Sequence, residues 1–334
     1  MVKLLVSKGR REFSVLVKLE SFNPTGSTKD RTAFGLVRAM HRESPLTWGT
    51  VVVESTSGNL GLAMSRILRP MGCRFIAVVD PNATETIRAA LESSGAEVLL
   101  VTEPDREGGY LLNRLRLVQK LCAEHPEYRW SNQYGNPANP RIHEETTGPE
   151  LAKQAGPTLD AVYVAVSTGG TLAGIARYLR AAKPEVRLVA VDAEGSVAVA
   201  GRAGRRLLSG IGASRPSSFL IRSHYDVVRH IADAPSFAAC RILREDTGVA
   251  IGGSSGSVLC ACLADLSGPQ APQTPVCVFP DGGGNYMRSF YDDAWLRERG
   301  MLDRVREAER RLRAELVSFR FASNTLEDLV EHPG

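Results

Sequence analysis

One lysine stands in a sequence context that suits nucleophilic chemistry. Lys29 lies in the segment NPTGSTKDR (23–31), and an apolar pattern at helical spacing begins directly after it. Cations are disfavoured at the positive end of a helix. That field, with any burial, lowers the pKa of an amine and makes it a better nucleophile toward a carbonyl. Lys29 is therefore a candidate catalytic residue, although most single lysines are solvated surface residues.

Loops rich in Gly, Ser and Thr recur along the chain. The segment STGGT (167–171) follows an apolar run and precedes a helical pattern. Unpaired N–H groups at a helix start, with glycines and hydroxyls, form a cradle for a phosphate dianion. A Ser or Thr there can also be a simple helix cap. Three further loops are predicted between a strand and a helix, where ligands bind in open α/β sheets: ESTSGNLG (54–61), GIGA (210–213) and GGSSGS (252–257).

Composition and charge exclude several classes of protein. Among the 334 residues, 41 Lys and Arg face 37 Asp and Glu, and the basic residues are scattered, so nucleic acid is not favoured as a partner. No run of 18 apolar residues predicts a membrane span, and no secretory signal pattern opens the chain, so we expect a cytoplasmic protein. The six cysteines form no Cys-x-x-Cys pair, which favours buried thiols over a metal or disulfide site.

The pattern of apolar runs predicts an α/β fold. Short Val- and Ile-rich runs alternate with segments of helical period, which is typical of parallel sheets covered on both faces. The length suggests two domains, with the chain crossing between them near 125–142. The predicted strands are 50–54, 74–80, 96–101, 160–167, 186–192, 226–231 and 275–281. The predicted helices are 58–70, 83–94, 108–124, 170–182 and 233–246, followed by an Arg- and Glu-rich helix after about 297.

Motifs of other enzyme classes are missing or incomplete. No strand is followed by G-x-G-x-x-G with an acidic residue at the right distance, and no phosphate-binding P-loop occurs. The segment GGSSG (252–256) fits the G-x-S-x-G nucleophile elbow of α/β-hydrolases. That triad needs a histidine after the serine, and only His332 follows Ser254. A hydrolase is therefore disfavoured, while an inactive module that keeps the fold stays open.

The motifs together resemble one superfamily over roughly residues 2–300. The segments NPTGSTKDR, STSGNLG, NPANPRIHEETTGPE, STGGTLAG, GIGAS and GGSSGS are similar to the ordered motifs of fold type II pyridoxal-phosphate enzymes, the cysteine synthase and tryptophan synthase β-subunit superfamily. Within it, the chain is most similar to the 2,3-diaminopropionate-pathway enzymes of siderophore and peptide antibiotic biosynthesis. The stretches that carry this second resemblance are VVDP (78–81), EPDREGGYL (103–111), SNQYGN (131–136), VDAEGSV (191–197), GIGASR (210–215) and YDDAWL (291–296).

The resemblance implies an architecture and a reaction. It implies two three-layer α/β domains with mostly parallel sheets: a larger cofactor-phosphate-binding domain of residues 1–22 and 132–310, and a smaller substrate-loop domain of residues 23–131. Residues 311–334 are expected to form a C-terminal helix and tail. The implied reaction is β-replacement on O-phosphoserine by glutamate. The alternative is cysteine synthesis from O-acetylserine or O-phosphoserine with sulfide. A homodimer acting on small amino acids, without metal, nucleic acid or membrane, is expected.

The resemblance also implies roles for individual residues. Lys29 would carry pyridoxal 5'-phosphate and move the α-proton. Asn59 would contact the ring hydroxyl and Ser254 the pyridine nitrogen. The cofactor phosphate would lie on Ser167, Thr168, Gly169, Gly170 and Thr171.

Substrate roles follow in the same way. Thr56 and Ser57, with Gln133, would hold the substrate α-carboxylate, although both hydroxyls could merely cap a helix. Arg215 is the candidate for a phosphate leaving group, because the arginine fork matches phosphate oxygens. Arg114 and Tyr134 would meet carboxylates of the second substrate, and Ser167 adds a hydroxyl nearby. Helix spacing alone places Arg114 on the surface.

Overall fold

The chain forms eleven strands and eleven α-helices within the described residues. The computed structural model describes residues 1–56, 58–105 and 109–322. The strands are β1 Val2–Lys8, β2 Arg11–Leu19, β3 Val51–Ser55, β4 Arg74–Val79, β5 Glu97–Leu100, β6 Arg129–Trp130, β7 Ala161–Ala165, β8 Arg187–Ala193, β9 Val227–Ile231, β10 Pro275–Phe279 and β11 Ser318–Phe321. The helices are α1 Lys29–Glu43, α2 Asn59–Leu68, α3 Glu85–Ser93, α4 Leu111–Glu124, α5 Ala138–Ile142, α6 Gly148–Ala155, α7 Gly170–Ala182, α8 Asp233–Thr247, α9 Gly253–Leu266, α10 Asp293–Glu298 and α11 Leu302–Ala314.

A seven-stranded sheet forms the larger layer. Its strand order is β11-β1-β2-β10-β7-β8-β9. The five strands from β2 to β9 pair in parallel, while β1 pairs antiparallel with β2 and with β11. Strand β10 is buried along its whole length, as expected for a parallel strand covered on both faces.

Helices cover both faces of this sheet, since neighbouring strand residues point to opposite sides. On one side Tyr163 packs in a core cluster with Phe237 of α8 and Leu259 of α9. On the other side Val162 lies in a second cluster with Leu172 of α7. The result is a three-layer arrangement with two separate cores.

A smaller sheet repeats the arrangement. Its order is β5-β4-β3-β6, and all its pairs are parallel. Leu36 of α1 and Met64 of α2 pack with Val52 on one face. Val118 of α4 packs with Val53 on the other face. Two α/β sheets with mostly parallel strands confirm the predicted fold class, and the exact domain boundaries stay a prediction.

Two expectations differ from the structure. The region after residue 310 is not only a helix and tail: α11 already begins at Leu302, and strand β11 adds to the edge of the larger sheet beside β1. The GIGA loop does not connect a strand directly to a helix, because residues 194–221 contain neither. Gly212 N of this loop donates a hydrogen bond to the carbonyl of Val166, the residue after β7, at 2.7 Å.

Two further properties concern the described residues as a group. Their six cysteines are free, and Cys73, Cys240, Cys262 and Cys277 are buried. No helix in this part of the chain has the length and apolar character that crossing a membrane requires.

Candidate active site

The candidate site lies where the start of α1 meets the end of β10. Thr28 N donates to Pro280 O at 2.8 Å, and Ser27 forms a β-bridge with Asp281. These contacts hold the first residue of α1, Lys29, at the carboxyl end of the larger sheet. Lys29 lines a cavity, here called the lysine cavity, whose other walls include Thr56, Asn59, Gln133, Tyr134, Ser167, Gly210, Ser254 and Asp281.

Burial and one carboxylate determine the charge state of Lys29. Burial lowers the pKa of Lys29, and the negative charge of Asp281 opposes that decrease. The direction agrees with the expectation from sequence, but its main cause is burial. A lysine with a lowered pKa has a larger neutral fraction, which is the form that attacks a carbonyl or accepts a proton.

The STGGT loop forms a compact turn beneath the lysine cavity. Gly169 has φ 87°, and a Cβ at Gly170 would collide with the side chain of Asn139. Asn139 Nδ2 donates to Thr168 Oγ1 at 3.2 Å. Helix α7 begins at Gly170, so its first N–H groups have no carbonyl of a preceding turn. The loop residues Ser167, Thr168, Gly169 and Thr171 line a small cavity together with Lys29 and Gly210.

A buried histidine, His143, contacts the last residue of this loop. His143 Nε2 lies 3.1 Å from Thr32 Oγ1 and 3.3 Å from Thr171 Oγ1. Burial and the charges of Lys29 and Arg31 lower the pKa of His143 to about 3. The imidazole is therefore neutral, and it connects the first turn of α1 to the first turn of α7.

Asp281 connects residues that the sequence placed in separate motifs. Asn59 Nδ2 donates to Asp281 Oδ2 at 2.8 Å, and Tyr286 OH donates to the same oxygen at 2.6 Å. Burial raises the pKa of Asp281, while Tyr286, Asn59, Lys29 and Ser254 oppose the rise. Sequence reasoning missed Asp281, although its position at the end of the predicted strand 275–281 was a signal.

The predicted α-carboxylate loop is preorganised by its own hydrogen bonds. Thr56 Oγ1 accepts from Gly58 N at 3.0 Å and from Gly61 N at 3.1 Å, so this hydroxyl caps α2 as well as lining the cavity. Gln133 Nε2 donates to Ser55 O at 2.6 Å. Ser57 lies outside the described residues.

The buried Glu54 accepts hydrogen bonds from the segment that carries Gln133. Its carboxylate accepts from Ser131 Oγ at 2.5 Å and from Gln133 N at 3.0 Å. Burial raises the pKa of Glu54, and these hydrogen bonds oppose the rise. Glu54 was not predicted as a site residue, though it is the last residue of the predicted strand 50–54.

A second cavity, here called the arginine cavity, adjoins the first. It shares Tyr134, Ser167 and Gly210 with the lysine cavity and adds Asp80, Arg114, Arg206 and Ser214. Arg114 is only 6% exposed, and its Nε lies 3.1 Å from Asp80 Oδ2. Burial of Arg114 differs from the surface position that helix spacing predicted. Arg215, half-buried, lines neither of these two cavities.

The residues around Lys29 fit pyridoxal phosphate. The buried hydroxyl of Thr28 has no hydrogen-bond partner among the described residues, and the α7 start offers N–H donors to an anion. A Cβ at Gly210 would meet only Ser254 Oγ, at 4.0 Å, so glycine leaves the cavity open there. Lys29, Asn59, Ser254 and the 167–171 loop are thus placed around one space. These assignments stay predictions.

Known proteins resemble the chain in sequence and in fold. Residues 2–281 match the family model described as "Pyridoxal-phosphate dependent enzyme". The N-(2-amino-2-carboxyethyl)-L-glutamate synthase of Ralstonia nicotianae is 42% identical over 286 residues, which are 86% of this chain and 85% of that protein. The protein of the same name from Cupriavidus metallidurans is 40% identical over 299 residues, covering 89% and 88%.

Solved structures share the fold. The crystal structure of O-ureido-L-serine synthase has a TM-score of 0.76 and 30% sequence identity, covering 87% of this chain and 95% of that one. The hydrogen sulfide-producing enzyme of Fusobacterium nucleatum has a TM-score of 0.80 at 24% identity, covering 91% and 92%. The second likeness shows the fold alone.

Proposed function

The chain belongs to the pyridoxal-phosphate dependent enzyme family, and from this premise we propose that it catalyses β-replacement on an activated serine. The first substrate is O-phospho-L-serine and the incoming nucleophile is L-glutamate. The β-carbon–oxygen bond breaks and phosphate leaves with the electron pair. A bond then forms from the glutamate nitrogen to the β-carbon, and this nitrogen loses a proton. The product is N-(2-amino-2-carboxyethyl)-L-glutamate.

Lys29 is the proposed catalytic residue. When bound, pyridoxal phosphate supplies the electron sink that lets a serine derivative lose its α-proton and β-substituent. The Nζ of Lys29 accepts that α-proton and returns one to the α-carbon after glutamate has added, and its lowered pKa favours the neutral amine that can accept it. Asn59 and Ser254 orient the ring, and the 167–171 loop binds the phosphate group.

The arginine cavity is the observation that carries the choice of nucleophile. Sulfide needs no extended polar site, whereas glutamate brings two carboxylates that require cationic donors. A buried arginine, Arg114, lines the cavity that adjoins Lys29, with Tyr134 and Ser167 at the boundary. The names of the two relatives at 40% and 42% identity support the same choice.

The leaving group and the assembly complete the proposal. Arg215 follows Ser214, which lines the arginine cavity, and its guanidinium matches the oxygens of a phosphate leaving group. Thr56, Ser57 and Gln133 are the proposed contacts of the substrate α-carboxylate. The family resemblance supports a homodimer in the cytoplasm.

A product assay on the holoenzyme tests the proposal. The protein is incubated with O-phosphoserine and either glutamate or sulfide, and the product is identified by mass. We expect the glutamate adduct, with inorganic phosphate released in equal amount. A parallel reaction with O-acetylserine shows which leaving group is preferred. If cysteine is the dominant product and no glutamate adduct forms, the proposal is wrong and the protein is a cysteine synthase.

A further inference from the structure

Arg206 is a cation of the arginine cavity that the motifs did not single out. Resting on the proposed function, we infer that Arg206 binds the side-chain carboxylate of the incoming acidic amino acid and so determines which nucleophile is used. Arg114 then serves the α-carboxylate beside the reacting amine. The chemical class selected is an amino acid with a second carboxylate.

The arginine cavity has the position that a second substrate needs. Its volume is about 90 Å³, and it shares Tyr134, Ser167 and Gly210 with the lysine cavity. A molecule in it can therefore direct an amine toward Lys29 while its other end lies among the arginines.

The two arginines of this cavity differ in whether a carboxylate pairs with them. Arg114 has a carboxylate partner in Asp80, at 3.1 Å from Nε to Oδ2. Arg206 donates from Nη1 to the Gly195 carbonyl at 2.9 Å. Within the ranges the structure describes, no carboxylate lies within ion-pair distance of Arg206. A half-buried guanidinium with only a carbonyl acceptor retains donors for a carboxylate.

Arg114 also has an unpaired donor. Its Nη1 is buried and makes no hydrogen bond with the described residues, while its Nε lies 3.1 Å from Asp80 Oδ2. Buried polar atoms are normally hydrogen-bonded, so Nη1 indicates a site that a ligand completes. The cavity thus offers donors from two separate arginines, which suits two carboxylates better than one.

The backbone around Arg206 is held in place. The Asp233 carboxylate accepts hydrogen bonds from Leu207 N at 2.9 Å and from Leu208 N at 3.0 Å. A Cβ at Gly212 would lie 2.9 Å from Arg206 Nε, so the guanidinium packs directly against this glycine. A side chain positioned in this way can discriminate between substrates.

Tyr134 lies at the boundary between the two cavities, since it lines both of them. Burial raises the pKa of Tyr134, and the charges of Arg114 and Arg206 oppose the rise. In glutamate the α-carboxylate is close to the amine, and the side-chain carboxylate is separated from it by two methylene groups.

Kinetics of Arg206→Gln test the inference, with Arg205→Gln as the matched control. Arg205 is the neighbouring arginine, is exposed and does not line the arginine cavity. The holoenzymes are assayed with O-phosphoserine and glutamate, glutamine or sulfide. We expect Arg206→Gln to raise KM for glutamate about tenfold or more and to abolish the preference over glutamine. The absorbance of the bound cofactor and the midpoint of thermal unfolding should match those of the Arg205→Gln holoenzyme, which shows that the variant is folded.

The outcomes separate this inference from the proposed function. If the unmodified protein uses glutamate and Arg206→Gln behaves like Arg205→Gln, the role of Arg206 is refuted while the function stands. An equal loss with glutamate and glutamine would assign Arg206 to the α-carboxylate and also overturns the inference. If the unmodified protein uses sulfide and rejects glutamate, both proposals fail.

Discussion

Lys29 and Asp281 ionise to opposite charges in the same buried surroundings, and each affects the ionisation of the other. Burial lowers the pKa of the lysine and raises that of the aspartate, while their mutual attraction opposes both shifts. Asn59 and Tyr286 donate to the aspartate, which favours its charged form. Asp281 therefore acts through Lys29 and Asn59 as a positioning residue.

Asp281→Asn should lower the pKa of Lys29 further. The change removes a negative charge that stabilises the ammonium, so the neutral amine forms at lower pH than in the unmodified protein. The measurement is the pH dependence of Lys29 modification by an amine reagent in cofactor-free protein, followed by mass spectrometry. The exposed Asp303→Asn is the control. A midpoint that stays in place or rises would contradict the proposed coupling.

At the scale of elements, helices and strands with a clear local sequence pattern were predicted, whereas strands without one were not. The helix 170–182 was predicted with its observed bounds, because STGGT marks its start and its apolar period is regular. Strands β2 and β11 were not among the predicted strands, since their sequences lack the continuous apolar run of a strand buried on both faces.

The site shows the same division. Lys29, Asn59, Ser254 and the STGGT loop occur in local motifs that the sequence displays. Asp281 contributes through a contact with Asn59 across 222 positions of the chain, which no local pattern reports. Motifs therefore identified the residues that face the cavity, and the structure was needed for the carboxylates that position them.

Gly170→Ala should weaken the phosphate loop. The added Cβ would collide with the Asn139 side chain, which also holds Thr168, and overpacking of this kind costs about 1–3 kcal/mol. We expect lower affinity for pyridoxal phosphate, measured by absorbance titration of the cofactor-free protein. In Gly268→Ala the new Cβ would meet only an ordinary contact at 3.5 Å, so this control should bind normally. Equal affinity in both variants would argue against a phosphate site at α7.

At the scale of the molecule, a network of ion pairs connects a strand of the larger sheet to a helix that packs on the smaller sheet. Glu150 of α6 lies 2.8 Å from Lys18 of β2 and 2.7 Å from Arg31 of α1. Arg31 also lies 2.8 Å from the buried Glu20. Helix α1 packs on the smaller sheet, whereas β2 belongs to the larger one. The network therefore links the segment that carries Lys29 to the larger sheet.

Glu150→Gln should destabilise the protein in a pH-dependent way. Burial raises the pKa of Glu150, but the hydrogen bonds and charges of Arg31 and Lys18 outweigh it and lower that pKa from 4.5 to about 2. The stabilisation is therefore complete above pH 4.5 and is lost as the pH falls toward 2. Because the side chain is 40% exposed, solvent screening limits the loss to about 1 kcal/mol.

Denaturant unfolding of both proteins at several pH values measures this difference. The free energy of unfolding should differ between Glu150→Gln and the unmodified protein at neutral pH, and the gap should narrow as the solution is acidified below pH 4.5. Glu185→Gln removes an exposed carboxylate that lies outside the network, so it should leave the free energy unchanged. A gap that is constant across this pH range would mean that Glu150 stabilises the fold through packing and not through its charge.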